Sequence, residues 1–169
     1  MTQAERQTNP MNNLSKSNQD DPLLQWVTFR LAGESYAINV MQVQEVLRPC
    51  EIAPVPGAPP QVLGIINLRG HVLTVIDTRQ PFGLPPAVLT DNSRILVIEA
   101  EGQVIGLLAD SVAEVAYLHQ SQIENLPGLG SEDNRRFIQG LCKRGDELLI
   151  LLDLTQLLAQ QDWLNHGIL

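Results

Sequence analysis

From Leu24 onward the apolar residues of this chain fall into short, dense, β-branched runs: Trp26-Val27-Thr28-Phe29, Val72-Leu73-Thr74-Val75-Ile76, Arg94-Ile95-Leu96-Val97-Ile98 and Val104-Ile105-Gly106-Leu107-Leu108. Runs of this length, bounded by Gly, Pro, Asp and Asn, predict strands rather than helices. Ala32-Gly33-Glu34 and Glu101-Gly102-Gln103 lie between such runs and predict hairpin turns. Pro54-Val55-Pro56-Gly57-Ala58-Pro59-Pro60 can continue neither sheet nor helix, and Pro81 to Pro86 reads as a linker between halves. One segment differs. Thr155 to Asn165 places Leu157, Leu158 and Leu164 near helical spacing, with Asp153 or Thr155 as N-cap and Gly167 as C-cap. Before the strands, residues 1–22 are rich in Asn, Gln, Ser, Thr and Asp, with too few apolar side chains to offset the entropy of ordering, so a disordered tail is expected there.

The pattern occurs twice. Gly33, Val43, Glu45 and Val46 match Gly102, Val112, Glu114 and Val115, each pair 69 positions apart. Downstream, Gly64 and Asp77 match Gly140 and Asp153 at a separation of 76, which carries Leu73, Val75 and Ile76 onto Leu149, Leu151 and Leu152. Each half, with about five short strands, suits a small closed barrel better than an open sheet with exposed edges. Two such barrels, related by a pseudo-two-fold axis, would bury apolar faces against each other.

Charge narrows the partners. With 11 Lys+Arg against 19 Asp+Glu, the chain carries a net charge of -8, which opposes binding to nucleic acid or an anionic membrane surface. A base-stacking small barrel is further disfavoured by an aromatic content of only 4%. Leu148 to Leu152 is the longest apolar stretch, far too short to span a bilayer, and a cytoplasmic protein is expected. Cys50 and Cys142 stand apart without a CxxC pair, which predicts two buried thiols. His71, His119 and His166 show no metal-ligand spacing, and no nucleophile elbow, phosphate loop or dinucleotide fingerprint occurs. No cofactor, metal or catalytic residue is expected, and a small hydrolase is excluded for want of a catalytic constellation. Asp77, Asp110 and Asp153 each end an apolar strand, where a carboxylate serves as a turn or cap residue.

One segment stands out as a candidate for recognition: Gly64-Ile65-Ile66-Asn67-Leu68-Arg69-Gly70. Asn67 and Gly70 permit the backbone of a tight turn, and Arg69 is a charged residue held on a rigid scaffold between apolar strands. Arginine is favoured at protein–protein hot spots and pairs bidentately with carboxylates.

This segment, together with Gln25-Trp26-Val27-Thr28-Phe29-Arg30-Leu31, Tyr36-Ala37-Ile38-Asn39-Val40, Val43-Gln44-Glu45-Val46, Val75-Ile76-Asp77 and Gly106-Leu107-Leu108-Ala109-Asp110-Ser111-Val112, resembles the CheW family of bacterial chemotaxis coupling proteins. The likeness runs from about Leu24 to Leu158, with Thr74 where the family often has Pro and Thr78 where it often has Leu. It implies an all-β fold of two intertwined five-stranded SH3-like barrels over residues 23–159, with a boundary near 81–92, short helices including one at the C-terminus, and a helix end and tail over 160–169. The family role it implies is that of an adaptor, not an enzyme, in a two-component system. Such an adaptor ties the cytoplasmic tip of methyl-accepting chemoreceptors to the regulatory domain of the CheA histidine kinase, and is recruited to membrane-associated arrays without inserting in the membrane. By the same resemblance Val43, Glu45, Gly64, Arg69, Gly70, Gly106 and Gly140 are receptor-binding positions. Leu126 and Leu129, in Ile123-Glu124-Asn125-Leu126-Pro127-Gly128-Leu129, match a loop that contacts the kinase, Leu129 standing where an aromatic is found in relatives. End-to-end docking of like barrels would generate ring-forming contacts with the kinase or with itself. The narrower alternative is the coupling protein of a related array that controls pili or surface behaviour.

Overall fold

The computed structural model describes residues 20–125 and 137–159. Within them the elements run β1 (Leu23–Leu31), β2 (Glu34–Asn39), β3 (Val43–Leu47), β4 (Val62–Leu68), β5 (His71–Asp77), β6 (Arg94–Ala100), β7 (Gln103–Ala109), β8 (Ser111–His119), β9 (Ile138–Arg144), β10 (Glu147–Leu152) and a helix α1 (Leu154–Ala159). All four apolar runs are strands, and both expected turns join hairpins. Asp153, not Thr155, caps α1, its Oδ1 accepting from the Gln156 N–H at 3.2 Å. Gly167, the helix end over 160–169 and most of the expected tail lie outside the described residues. Asp21 and Pro22, expected in that tail, are part of the fold. The Pro22 carbonyl accepts from Gln120 N at 3.0 Å, and the Asp21 carboxylate accepts from Ser121 N and Oγ, both at 2.9 Å.

The strands form two five-stranded sheets, the first ordered β8-β1-β2-β10-β9 and the second β3-β6-β7-β5-β4. The halves exchange hairpins: β1–β2 of the first repeat joins β8, β9 and β10 of the second, while β6–β7 of the second joins β3, β4 and β5 of the first. Residues 81–92 therefore separate the repeats in sequence without separating the sheets. The duplication is geometrical as well as sequential. Parallel ladders pair Leu151 with Ala37 in one sheet and Val75 with Gly106 in the other. Irregular registers recur at Val62/Gly64 and Ile138/Gly140, and Asp77 N and Asp153 N donate to Gln61 O and Phe137 O, each at 2.8 Å.

The expected closed barrels differ in one respect. Each ladder order is linear and ends on two edge strands, so neither sheet closes through continuous hydrogen bonding. Each nevertheless carries its own apolar cluster. Ile66, Leu73, Val75, Ile95, Val97 and Leu108 fill the second sheet. Trp26, Ala37, Ala116, Leu118, Cys142, Leu149 and Leu151 fill the first. A third cluster, including Phe29, Ile38, Leu96, Ile98, Leu107 and Leu152, lies between the sheets. This explains why the strands read as continuous apolar runs: in β6, Ile95 and Val97 face the inner core while Leu96 and Ile98 face the central one, all four buried. Phe82 of the linker packs tilted against Tyr36 at 5.4 Å and edge-to-face with Phe137 at 6.1 Å, which pins the linker to the central core.

Of the two thiols, Cys142 is buried as expected, and desolvation pushes it above the usual thiol range. Cys50 is exposed, because it lies beyond the end of β3 in a proline-flanked irregular segment that no sheet covers.

Candidate functional site

Arg69 and Gly70 form the β4–β5 turn, with φ of 51° and 84°. Two successive positive φ angles make a type I′ hairpin, whose twist matches that of the strands it joins. The left-handed residue is thus Arg69 itself rather than Asn67, which stays in β4 and accepts from Gly70 N through Oδ1 at 3.0 Å. The same geometry recurs at Ala32-Gly33 and Glu101-Gly102.

From this turn the Arg69 guanidinium reaches β3 and pairs bidentately with Glu45, Nη1 to Oε1 at 3.3 Å and Nη2 to Oε2 more closely. β3 and β4 are the two edges of the second sheet, so the pair spans the seam that hydrogen bonding leaves open. Donation from Arg69, aided by its charge, holds the Glu45 carboxyl below the usual glutamate range. Arg69 remains 69% exposed while Glu45 is 29% exposed, so the pair turns its positive pole outward. Beside it opens a groove of 360 Å³ lined by Gln44, Leu68, His71, Val72, Val97 and Val104. Val72 is 60% and Val104 43% exposed, an apolar floor with a cationic rim.

A second ion pair occupies the equivalent place in the first sheet. Arg144 on β9 donates to Glu114 on β8 at 3.0 Å, again joining the two edge strands. Glu114 is the repeat counterpart of Glu45, but Arg144 is one position short of Gly145, the counterpart of Arg69. Alignment of the repeats alone makes Arg69 unmatched; in space it has a partner in role.

The other expected site residues separate into distinct places. Val43 packs against the central core at the start of β3. Gly106 lies in the middle of the second sheet, where a Cβ would sit 2.8 Å from Ile95 Cγ2. Gly64 and Gly140 lie under crossing segments that bridge to the edge strands, Ala53 to Ile65 and Glu124 to Leu141. Gly70 stands in the turn with open space around it. Glu45, Arg69 and Gly70 thus share one surface, whereas Gly64 and Gly140 pack closely against backbone and Gly106 against core side chains. Leu126 and Leu129 lie outside the described residues. Among the described residues no three His, Cys, Asp or Glu side chains converge as metal ligands.

Comparison with known proteins gives a consistent result. Residues 25–162 match the model of the CheW-like domain. The chemotaxis protein CheW of Helicobacter pylori is 32% identical over 86% of this chain and 88% of its own length. That of Bacillus subtilis is 33% identical over 80% and 86%. The crystal structure of the scaffolding protein TtCheW from Thermoanaerobacter tengcongensis superposes with a TM-score of 0.71 at 34% identity, covering 77% of this chain and 88% of that one. The chain belongs to the CheW family.

The surface carrying Arg69 brings together one ion pair, one apolar groove and a rigid turn. Sequence reading missed the groove residues Val72 and Val104 and the pair Arg144–Glu114. Val72 and Val104 are each the second residue of a strand that follows a turn, an apolar side chain near the end of the sheet, and this was the available signal. No comparable signal marks Arg144. No described helix is long and apolar enough to cross a membrane.

Proposed function

We propose that this chain is the coupling adaptor of a chemotaxis signalling array, binding the cytoplasmic tip of chemoreceptors and the regulatory domain of the CheA histidine kinase so that receptors control kinase activity. It performs no reaction itself and works in the cytoplasm at membrane-associated arrays. The observation that supports this most is the Glu45–Arg69 pair, held on a rigid I′ turn beside an open apolar groove. A preorganised arginine, a residue favoured at protein-docking hot spots, stands here beside an exposed apolar patch. Val43, Glu45 and Arg69 supply contacts to the receptor tip, while Gly64, Gly70, Gly106 and Gly140 preserve the backbone that presents them. The groove over Val72 and Val104 takes an aliphatic side chain of the kinase's regulatory domain. The Leu126 and Leu129 loop gives a further kinase contact.

Arg69→Ala should leave the melting temperature nearly unchanged and weaken receptor binding about 30-fold, or about 2 kcal/mol, as expected of a hot spot. Unchanged receptor binding by a folded variant would remove Arg69 from the site. The role itself is tested by kinase autophosphorylation reconstituted with receptors: control that persists without this chain refutes coupling.

A further inference from the structure

Where the linker meets both sheets there is a pocket of 390 Å³ that shares no lining residue with the groove beside Arg69. Arg30 and Ser111, ladder partners on β1 and β8, line it from the first sheet. Arg79, just after β5, and Asn92, just before β6, line it from the side of the second sheet and the linker, and Asp110 and Val88 are part of the same lining.

Much of this lining is held in place by the fold itself. Arg79, whose side chain is 15% exposed, donates through Nη1 to Pro85 O at 3.2 Å and through Nη2 to Asp110 Oδ2 at 2.5 Å. The same Asp110 oxygen accepts from Ala32 N at 2.8 Å, and Asp110 N donates to Arg30 O at 2.9 Å. Asn92 belongs to a turn closed by Ser93 N to Thr90 O at 3.1 Å and by Thr90 N to Ser93 Oγ at 2.9 Å.

The charges of the lining do not cancel: two guanidiniums stand against one carboxylate, in a chain whose net charge is -8. Asp110 is already compensated by Arg79, so it opposes an anion less than a free carboxylate would. Arg30 is the arginine left over. Its side chain is 50% exposed, and its contacts with Gly33 O and the Glu147 carboxylate are both 3.4 Å long. Contacts so long and so open to water contribute little, and an incoming group can engage this guanidinium at small cost. Ser111 and Asn92 add a hydroxyl and a carboxamide, two further donors.

We propose that this pocket is a binding site for an oxyanion carried on a larger molecule, a phosphate ester or a carboxylate. Arg30 meets the oxyanion through charge-assisted hydrogen bonds, and Ser111 and Asn92 donate to its remaining oxygens. The volume is larger than one such group needs, and the rest of the ligand lies against Val88, which is 74% exposed. Occupancy ties β1 and β8 of the first sheet to the segment entering β6 of the second, so the ligand stabilises the fold as it binds.

The test is an NMR titration of the nitrogen-labelled full chain with phosphoserine, with glutamate, and with sodium chloride at matched ionic strength. Phosphoserine or glutamate should move the amides of Gly33, Asn92 and Ser111 saturably, with a midpoint of about 1 mM or below, and the tighter of the two identifies the oxyanion. At ten times the midpoint the melting temperature should rise by about 3–5 °C. Arg30→Gln and Ser111→Val should each weaken binding about tenfold or more. Shifts that chloride reproduces, shifts centred on Arg69 instead, or full affinity in both folded variants overturn the inference. If neither variant folds, saturable wild-type shifts confined to the pocket, together with the rise in melting temperature, support it, and the absence of either overturns it.

Discussion

Gly64→Ala tests whether close packing against the crossing segment is what requires glycine at this position. At Gly64 φ is +152°, and an added Cβ would overlap the carbonyl oxygen of Ala53, lying 2.8 Å from its carbon and 2.9 Å from Ile52 Cγ2. The obstruction is backbone, so no rotamer change relieves it. The crossing segment must lift, which breaks the two bonds Ala53 N to Ile65 O, 2.9 Å, and Ile65 N to Ala53 O, 2.8 Å. Each is worth about 1 kcal/mol. The backbone strain of a side chain at this φ adds about 1 kcal/mol or more. Ile52, which packs on the inner core of the second sheet, loses part of its burial, about 1 kcal/mol again. The total is about 4 kcal/mol, which in a domain of this size lowers the melting temperature by about 8–16 °C. Gly70→Ala is the control. Its φ is +84°, but nothing lies within 4 Å of the added Cβ, and the cost is about 1 kcal/mol. Thermal unfolding followed by circular dichroism measures both. In receptor binding at a temperature where both variants are folded, Gly64→Ala should bind nearly normally. A Gly64→Ala melting temperature within about 3 °C of wild type would show that the crossing segment yields freely, and would refute the packing account.

Three further outcomes follow from the same geometry. Because Arg69 holds the Glu45 carboxyl below its ordinary range, carbon-detected NMR titration should show that carboxyl titrating higher in Arg69→Met; an unchanged titration would mean the pair is not formed in solution. The sign for stability is that of a depressed carboxylate: the pair contributes fully above the unfolded glutamate range and loses its contribution as pH falls through the lowered folded value. The stability gap between wild type and Arg69→Met should therefore narrow in acid, and a gap that widens would contradict it. A disulfide reagent at neutral pH should modify exposed Cys50 quickly and buried Cys142 only on the unfolding timescale; equal rates would place Cys142 at the surface.

Much of the fold is written locally. A two-residue turn with glycine second, Ala32-Gly33, Arg69-Gly70 or Glu101-Gly102, commits its neighbours to a hairpin whatever lies elsewhere, and the runs around it have both faces apolar because both are buried. Asp77 and Asp153 behave as strand-end caps for the same local reason, accepting from Arg79 N at 3.0 Å and Gln156 N at 3.2 Å. The candidate site is legible as far as Arg69, a charge on a turn. Its carboxylate partner Glu45 stands 24 positions earlier, and nothing short-range joins them.

Sequence alone thus determined the strands, the hairpins, the duplication and the family. Tertiary structure decided which hairpin joins which sheet, and with it which side chains meet at the two ends. After β2 the chain turns through only Val40–Gln42, and β3 leaves to pair with β6 instead of folding back on its own half. That choice depends on the apolar faces available across the whole molecule, which no local window contains. It also brings Arg144 to Glu114, although the repeat aligns Gly145 with Arg69. An arginine side chain is long enough to reach the same seam from a neighbouring position, so spatial symmetry survives where sequence symmetry fails. The difference between exposed Val104 and buried Ser35, its repeat counterpart, arises in the same way, from the Ser35–Glu147 contact that forms only when the exchanged hairpins are in place.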